Sequence, residues 1–161
     1  AQKHGVQYAA SAVGEVNVVA KMKEVNAIIG GEGNGGIIFP ELHYGRDALV
    51  GVALFLSLLT DKNISVSALR KSYPAYYMSK NKIELSAGVN PDKVLTAVKE
   101  RNAHEPITTI DGVKIDFANS WVHLRKSNTE PIIRIYTEAK SQEEADALAQ
   151  RFLEEMKELA N

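Results

Sequence analysis

Between Trp121 and Ala139 the chain reads WVHLRKSNTEPIIRIYTEA, two strand-like apolar runs joined by a polar loop from Lys126 to Pro131. The first run alternates with period two, so Val122 and Leu124 fall on one face and Trp121, His123 and Arg125 on the other. Two such runs so close in sequence form an antiparallel hairpin, and a hairpin with one apolar face needs a covering layer. Arg125 enters the loop and Arg134 leaves it, which brings two guanidinium groups to one turn. Ser127, Asn128 and Thr129 add hydroxyl, amide and backbone N–H donors, and a cup of donors between two arginines suits a phosphate dianion. An ordinary hairpin with solvated arginines fits the same letters.

The remainder builds around this hairpin. Tyr76 to Leu85 reads as a strand, and Asn90-Pro91 opens a helix with a cap residue and proline in its first turn. Val94, Leu95, Val98 and Arg101 form one stripe of that helix. Thr108 to Ile115 reads as strand, turn and strand about Asp111-Gly112. Ser141 and Glu144 form a capping box, followed by an apolar face of Ala145, Leu148, Ala149, Phe152, Leu153, Met156 and Leu159. The order β-α-β-β-β-β-α predicts an α+β domain, an antiparallel sheet of four to five strands with helices on one face.

Upstream the pattern differs. Gly5 to Ala10 reads as a strand, and a helix follows with Val16, Val19, Ala20 and Met22 on one side. Ala27-Ile28-Ile29 reads as a buried strand, and Ile37-Ile38-Phe39 as a second one stopped by Pro40. Five of the eleven glycines lie between them, in Gly30 to Gly36. Glu32 and Asn34, two residues apart in that loop, can both project to one side and hydrogen-bond neighbouring sugar hydroxyls. A flexible hairpin turn is the plain alternative. A dinucleotide-binding loop fits poorly, because a strand follows where that motif needs a helix. Arg46 to Leu59 is apolar on almost every side, as in a helix buried within a layered core. Arg46 itself either reaches a ligand or pairs with a nearby carboxylate. A short helix over Ser65 to Lys71 ends before Pro74, and the periodicity changes between Ser72 and Ala75, which sets the boundary between 1–72 and 76–161.

Composition narrows the function classes. At 161 residues the chain forms one domain or two small ones and can bury about 70% of its unfolded surface. Its net charge of −1 supplies no global basic field for nucleic acid. It has no cysteine, hence no disulfide and no thiolate nucleophile or metal ligand, as suits a reducing cytoplasm. The longest apolar run, Ala48 to Leu59, falls short of the roughly 20 residues a membrane span needs, so no membrane partner is expected. His4, His43, His104 and His123 lack metal-ligand spacing, and a cross-strand role suits His123. No Ser-His-Asp or Cys-His arrangement can be assembled.

The run R-x-S-N-T-E-P-x-x-R from Arg125 to Arg134, with Glu138-Ala139 after it, resembles the phosphate-binding loop of the α-D-phosphohexomutases. Gly30-Gly31-Glu32-Gly33-Asn34-Gly35-Gly36 resembles that family's sugar-binding loop at the matching distance upstream. The resemblance implies the end of a third, mixed αβα-layered domain over 1–72, and a complete fourth domain, similar to the TATA-binding-protein fold, over 76–161. It implies that Arg125, Ser127, Asn128, Thr129 and Arg134 hold the phosphate of a phosphosugar and that Glu32 and Asn34 read its hydroxyls. Many relatives have serine at the place of Asn34, histidine at Gly36 and histidine at Glu15, which leaves glucose, mannose and glucosamine phosphates open. The family moves a phosphoryl group between C1 and C6 of a hexose using a phosphoserine in domain 1, Mg²⁺ on an aspartate-rich loop in domain 2, and a hexose 1,6-bisphosphate. Neither a phosphoserine loop nor an aspartate-rich loop is found in these 161 residues. The resemblance therefore implies a portion with no catalytic residue or metal ligand of its own, inert alone and partnered by domains 1 and 2 of a parent chain. A free-standing phosphosugar-binding module and a nucleic-acid- or protein-binding α+β domain are the competing functions.

Overall fold

A computed structural model describes residues 1–161 apart from Ala87, Asn128 and Asn161, and omits the side chain of Gln2. The chain divides into two compact units, Ala1–Pro74 and Ala75–Asn161.

The first unit opens with a short 3₁₀ turn, Gln2–His4, and continues with helix α1, Glu15–Val25. Two-residue strands β1 (Gly30–Gly31) and β2 (Ile37–Ile38) pair antiparallel, and helices α2 (Ala48–Lys62) and α3 (Val66–Ser72) follow. Asp47 caps α2, its carboxylate accepting from the Leu49 and Val50 N–H groups. Ser65 caps α3 in the same way through the Ala68 N–H. Helix α3 stops as Tyr73 turns extended ahead of Pro74, the conformation that a following proline imposes.

Three sequence expectations fail in this unit. Gly5 to Ala10 forms no strand; Val6 and Tyr8 are exposed and the segment pairs with no strand among the described residues. Ile28 and Ile29 are exposed and unpaired, because the ladder begins one step later, at the glycines. Helix α2 forms as expected but buries no residue, with Leu49 82% exposed and Val52 and Leu56 also open. Its apolar composition called for burial, yet the packing it makes within this unit is at its first turn, where Gly51 lies against Ile37 of β2. Met22, Ile38 and Leu69 are the buried apolar side chains here. No single helix among the described residues is long and apolar enough to cross a membrane.

The second unit carries a complete core. Its elements are β3 (Tyr77–Glu84), α4 (Pro91–Arg101), β4 (Ile107–Thr108), β5 (Val113–Asp116), β6 (Trp121–Lys126), β7 (Ile132–Ala139) and α5 (Gln142–Leu159). The strands form one antiparallel sheet in the order β3-β7-β6-β5-β4. Helix α5 packs on β3 and β7 and helix α4 on β6 and α5, so both cover the same face. Ile83, Ile115, Val122, Leu124, Ile133 and Ile135 meet Val94, Val98, Phe152 and Met156 in that layer. Ser141 caps α5 through the Glu144 N–H, and the buried Thr137 hydroxyl donates to the Ala145 carbonyl at 2.7 Å, tying β7 to the helix start. Asn102, also buried, donates to the Val98 carbonyl and to Glu155 and accepts from Arg151. The Asp111-Gly112 connection is longer than a two-residue hairpin turn: β4 ends at Thr108 and β5 begins at Val113, leaving 109–112 as the loop.

Phe152 is fully buried between helix and sheet. Phe152→Ala is expected to destabilise the second unit by about 3–5 kcal/mol, the usual cost of such a cavity. Urea unfolding of the whole chain followed by Trp121, its single tryptophan and a residue of β6, gives the measurement.

Candidate functional site

In the first unit the glycine loop joins β1 to β2. The Glu32 N–H donates to the Gly36 carbonyl and the Gly35 N–H to the Glu32 carbonyl, both at 3.1 Å, which folds the loop on itself. A Cβ on Gly31 would collide with the Gly36 carbonyl oxygen, so glycine is needed there for close approach. The half-buried Glu32 carboxylate accepts the Gly14 N–H at 3.1 Å, beside the positive end of α1. Asn34, exposed, accepts the Gly36 N–H through its side-chain oxygen at 3.1 Å and points its amide at Glu32 Oε2, 3.5 Å away. The two side chains are therefore neighbours, as their spacing suggests, with one Glu32 oxygen already engaged.

Arg46 pairs with a carboxylate rather than standing free. Its Nε lies 2.8 Å from Glu15, and its backbone N–H also reaches that side chain. Three residues before Arg46, His43 Nδ1 accepts the Gly45 N–H, so the proton sits on Nε2, which donates to Asp47 at 3.2 Å. The Asp47 carboxyl is held below its ordinary value chiefly by the Val50 N–H, with His43 and the Leu49 N–H adding to it and desolvation opposing.

In the second unit Arg125 and Arg134 are directly opposed across the β6–β7 ladder. Their neighbours Leu124, Ile133 and Ile135 are buried beneath the helices, so both arginines lie on the outer face. Opposed residues in an antiparallel ladder sit about 5 Å apart, close enough for two guanidinium groups to share one oxyanion. The loop between them is closed by the Ser127 N–H donating to the Ile132 carbonyl at 2.9 Å. It is tied to β3 by the Leu85 N–H on the Pro131 carbonyl. The Ser127 and Thr129 hydroxyls are 3.3 Å apart. Asn128 lies outside the described residues. Lys126, on entry to the loop, is anchored at 2.8 Å to both Asp92 oxygens in the first turn of α4.

Sequence inspection had no means of finding Asp111. Its carboxylate lies 3.2 Å from Arg125 Nη1, and its carbonyl accepts from His123 Nε2. Gly112 makes this possible: φ is +65°, and a Cβ there would strike the Leu124 carbonyl. Asp111 thus orients one edge of Arg125 and leaves its other N–H groups available. His123 takes a cross-strand place, opposed to Tyr136 and Lys114. Among the described residues no three His, Asp or Glu side chains gather as metal ligands would.

Comparison with known proteins bears on both units. A family model described as phosphoglucomutase/phosphomannomutase, alpha/beta/alpha domain III, matches residues 1–77, and one described as phosphoglucomutase/phosphomannomutase, C-terminal domain, matches residues 82–155. A phosphoglucosamine/phosphogalactosamine mutase of Sulfurisphaera tokodaii is 38% identical over 148 residues, covering 91% of this chain and 32% of its own. A phosphoglucomutase/phosphomannomutase of Thermococcus kodakarensis is 37% identical over 145 residues, covering 90% of this chain and 32% of its own. The crystal structure of a phosphoglucomutase/phosphomannomutase family protein from Burkholderia thailandensis superposes with a TM-score of 0.79 at 25% identity, over 99% of this chain and 35% of its own. The chain thus spans about a third of the length of these relatives.

Because its carboxyl pKa is depressed in the folded state, Asp47 stabilises the start of α2 fully above the ordinary value of 3.8 and loses that role as pH falls below it. Acidification below pH 3.8 and through the lowered folded-state value is expected to weaken the cap and expose the Leu49 and Val50 amides to exchange in NMR, and Asp47→Asn to remove the pH dependence while keeping an acceptor. Gly112→Ala is expected to push the 109–112 loop off β6, seen as shifted His123 and Arg125 side-chain resonances in an otherwise native spectrum.

Proposed function

The chain belongs to the phosphoglucomutase/phosphomannomutase family, and from that premise we propose that it is the substrate-recognising carboxy-terminal portion of a phosphohexomutase, 1–72 from the third domain and 76–161 the fourth. The observation that carries this is the register-opposed pair Arg125 and Arg134 flanking the Ser127–Thr129 turn on an open sheet face. Charge-assisted, bidentate donors of this kind fit the three terminal oxygens of a phosphate monoester. In this proposal Arg125, Ser127, Asn128, Thr129 and Arg134 hold the phosphate, and Glu32 and Asn34 hydrogen-bond the sugar hydroxyls. Glu32 accepts with the oxygen that Gly14 leaves available, and Asn34 both donates and accepts.

The whole protein, on this proposal, interconverts hexose 1-phosphate and hexose 6-phosphate in the cytoplasm, with domains 1 and 2 supplying the phosphoserine and the Mg²⁺ site. A hexose 1,6-bisphosphate activator belongs to that whole protein as well. The residues here do not fit a Mg²⁺ site of their own, since no acidic cluster gathers among the described residues. What this chain contributes is grip: an anchored phosphate fixes the sugar while chemistry proceeds elsewhere, and positioning of that kind lowers the barrier without touching the reacting atoms.

Calorimetric titration with glucose 1-phosphate, glucose 6-phosphate and plain glucose is the test. Both phosphates are expected to bind and glucose not, and Arg125→Ala to weaken the phosphates at least about tenfold, the scale of one lost charge-assisted hydrogen bond. No turnover is expected from the chain alone in a coupled mutase assay. Equal binding of the Arg125→Ala variant with its fold intact would sink the proposal, and tighter binding of an oligonucleotide than of either sugar phosphate would favour the nucleic-acid alternative.

A further inference from the structure

The outer face of the second sheet carries more positive charge than the arginine pair. Register places Lys82 of β3 opposite Arg134 of β7, and Arg134 opposite Arg125 of β6, so three cations form one row across three strands. Lys80 stands in the next row, opposite Tyr136. Strands lie about 4.8 Å apart, which packs the row into roughly 10 Å.

A shallow depression of about 500 Å³ lies over this part of the sheet, bordered by Lys80, Lys82, Glu130, Arg134 and Tyr136. It presents three cations against one carboxylate. Among the described residues neither Lys80 nor Arg134 has a carboxylate partner, and the Lys80 ammonium rests 5.6 Å over the Tyr136 ring instead. Lys82 lies 3.3 Å from Glu84, but both side chains are largely solvated, so that pair holds it weakly. Arg125, by contrast, is engaged with Asp111. The uncompensated positive charge therefore lies on the β3 side of the arginine pair. Like charges so placed repel one another, and a compact dianion between them relieves the repulsion.

We propose that the depression over β3 and β7 is part of the phosphate site, with Lys82 and Lys80 as binding residues that grip a phosphate monoester from a third strand alongside Arg134 and Tyr136. This rests on the phosphate reading of the neighbouring loop and adds to it two side chains outside the loop motif. The two lysines raise local anion concentration and donate directly, while the loop and Arg125 fix orientation.

The test is titration of the full chain with inorganic phosphate, using the unmodified protein, the Lys80→Gln/Lys82→Gln double variant, Arg125→Ala, and a Lys99→Gln/Lys157→Gln control. The control removes the same charge from helices α4 and α5, which pack on the opposite face of the sheet. All five substituted side chains are at least partly exposed to solvent, and Trp121 fluorescence verifies the fold. The β3 double variant is expected to bind phosphate about tenfold more weakly and the control to stay within twofold. Lys80→Arg/Lys82→Arg is expected to restore binding. A β3 variant that binds within twofold of the unmodified chain, while Arg125→Ala fails, overturns this inference and leaves the loop site standing. Loss in the β3 variant with normal binding in Arg125→Ala supports the lysines and overturns the loop. Equal weakening by the control, or no phosphate binding by the unmodified chain, overturns it too.

Discussion

The pairing of β6 with β7 is the constraint on which the second unit depends. Val122 and Leu124 on one strand and Ile133 and Ile135 on the other are fully buried under Phe152 and Met156. Because side chains alternate strictly along a strand, burying those four forces Arg125 and Arg134 to the outer face, and the register that joins the apolar pairs also opposes the arginines. A slip of one residue would drive a guanidinium into the core, at a desolvation cost no loop contact repays. The placement of the two arginines is thus fixed by hydrophobic packing on the other side of the same sheet.

Much of this was legible in the letters because alternation and capping have short-range physical causes. Ser141 reaches the Glu144 N–H, and Asn90 the Asp92 N–H, as their positions ahead of apolar stripes demand. The family likeness was carried by two loops, Gly30–Gly36 and Arg125–Arg134. Other features depended on partners that sequence does not display. Asp111-Gly112 has the composition of a tight turn, yet Gly112 is spent on a close approach to β6 that positions Asp111. The lysines of β3 escaped notice because Tyr76, Tyr77 and Met78, all exposed, hide the phase of the strand, while Ser79 and Asn81 turn inward and hydrogen-bond each other.

The two units show how differently one kind of composition can be used. In the second, a sheet face and two helix stripes are matched and the core closes. In the first, helix α2 is apolar around its circumference but fully buries no residue, although its first turn meets Ile37 of β2. Apolar content alone signals that a surface requires cover; the identity of the cover is a property of tertiary arrangement. The glycine loop is less affected, since its shape is set locally by the Gly31–Gly36 approach and by Glu32 bonding to the start of α1.

Electrostatics explains why a row of cations is tolerated where it sits. Lys80 and Lys82 project from an open face, where water screens their repulsion with Arg134 and the penalty to folding is small. The same three charges inside the helix-covered core would be excluded by desolvation. An outer sheet face is therefore the place where a protein can store uncompensated positive charge cheaply, and a rigid ladder holds that charge at fixed spacing before any ligand arrives. On the phosphate proposal, an arriving ligand would meet groups already aligned, so little ordering of the backbone would remain to be done on binding. Arg125, oriented by Asp111, and Arg134, with no carboxylate partner among the described residues, form one fixed and one adaptable donor, an asymmetry that the proposed phosphate site would use.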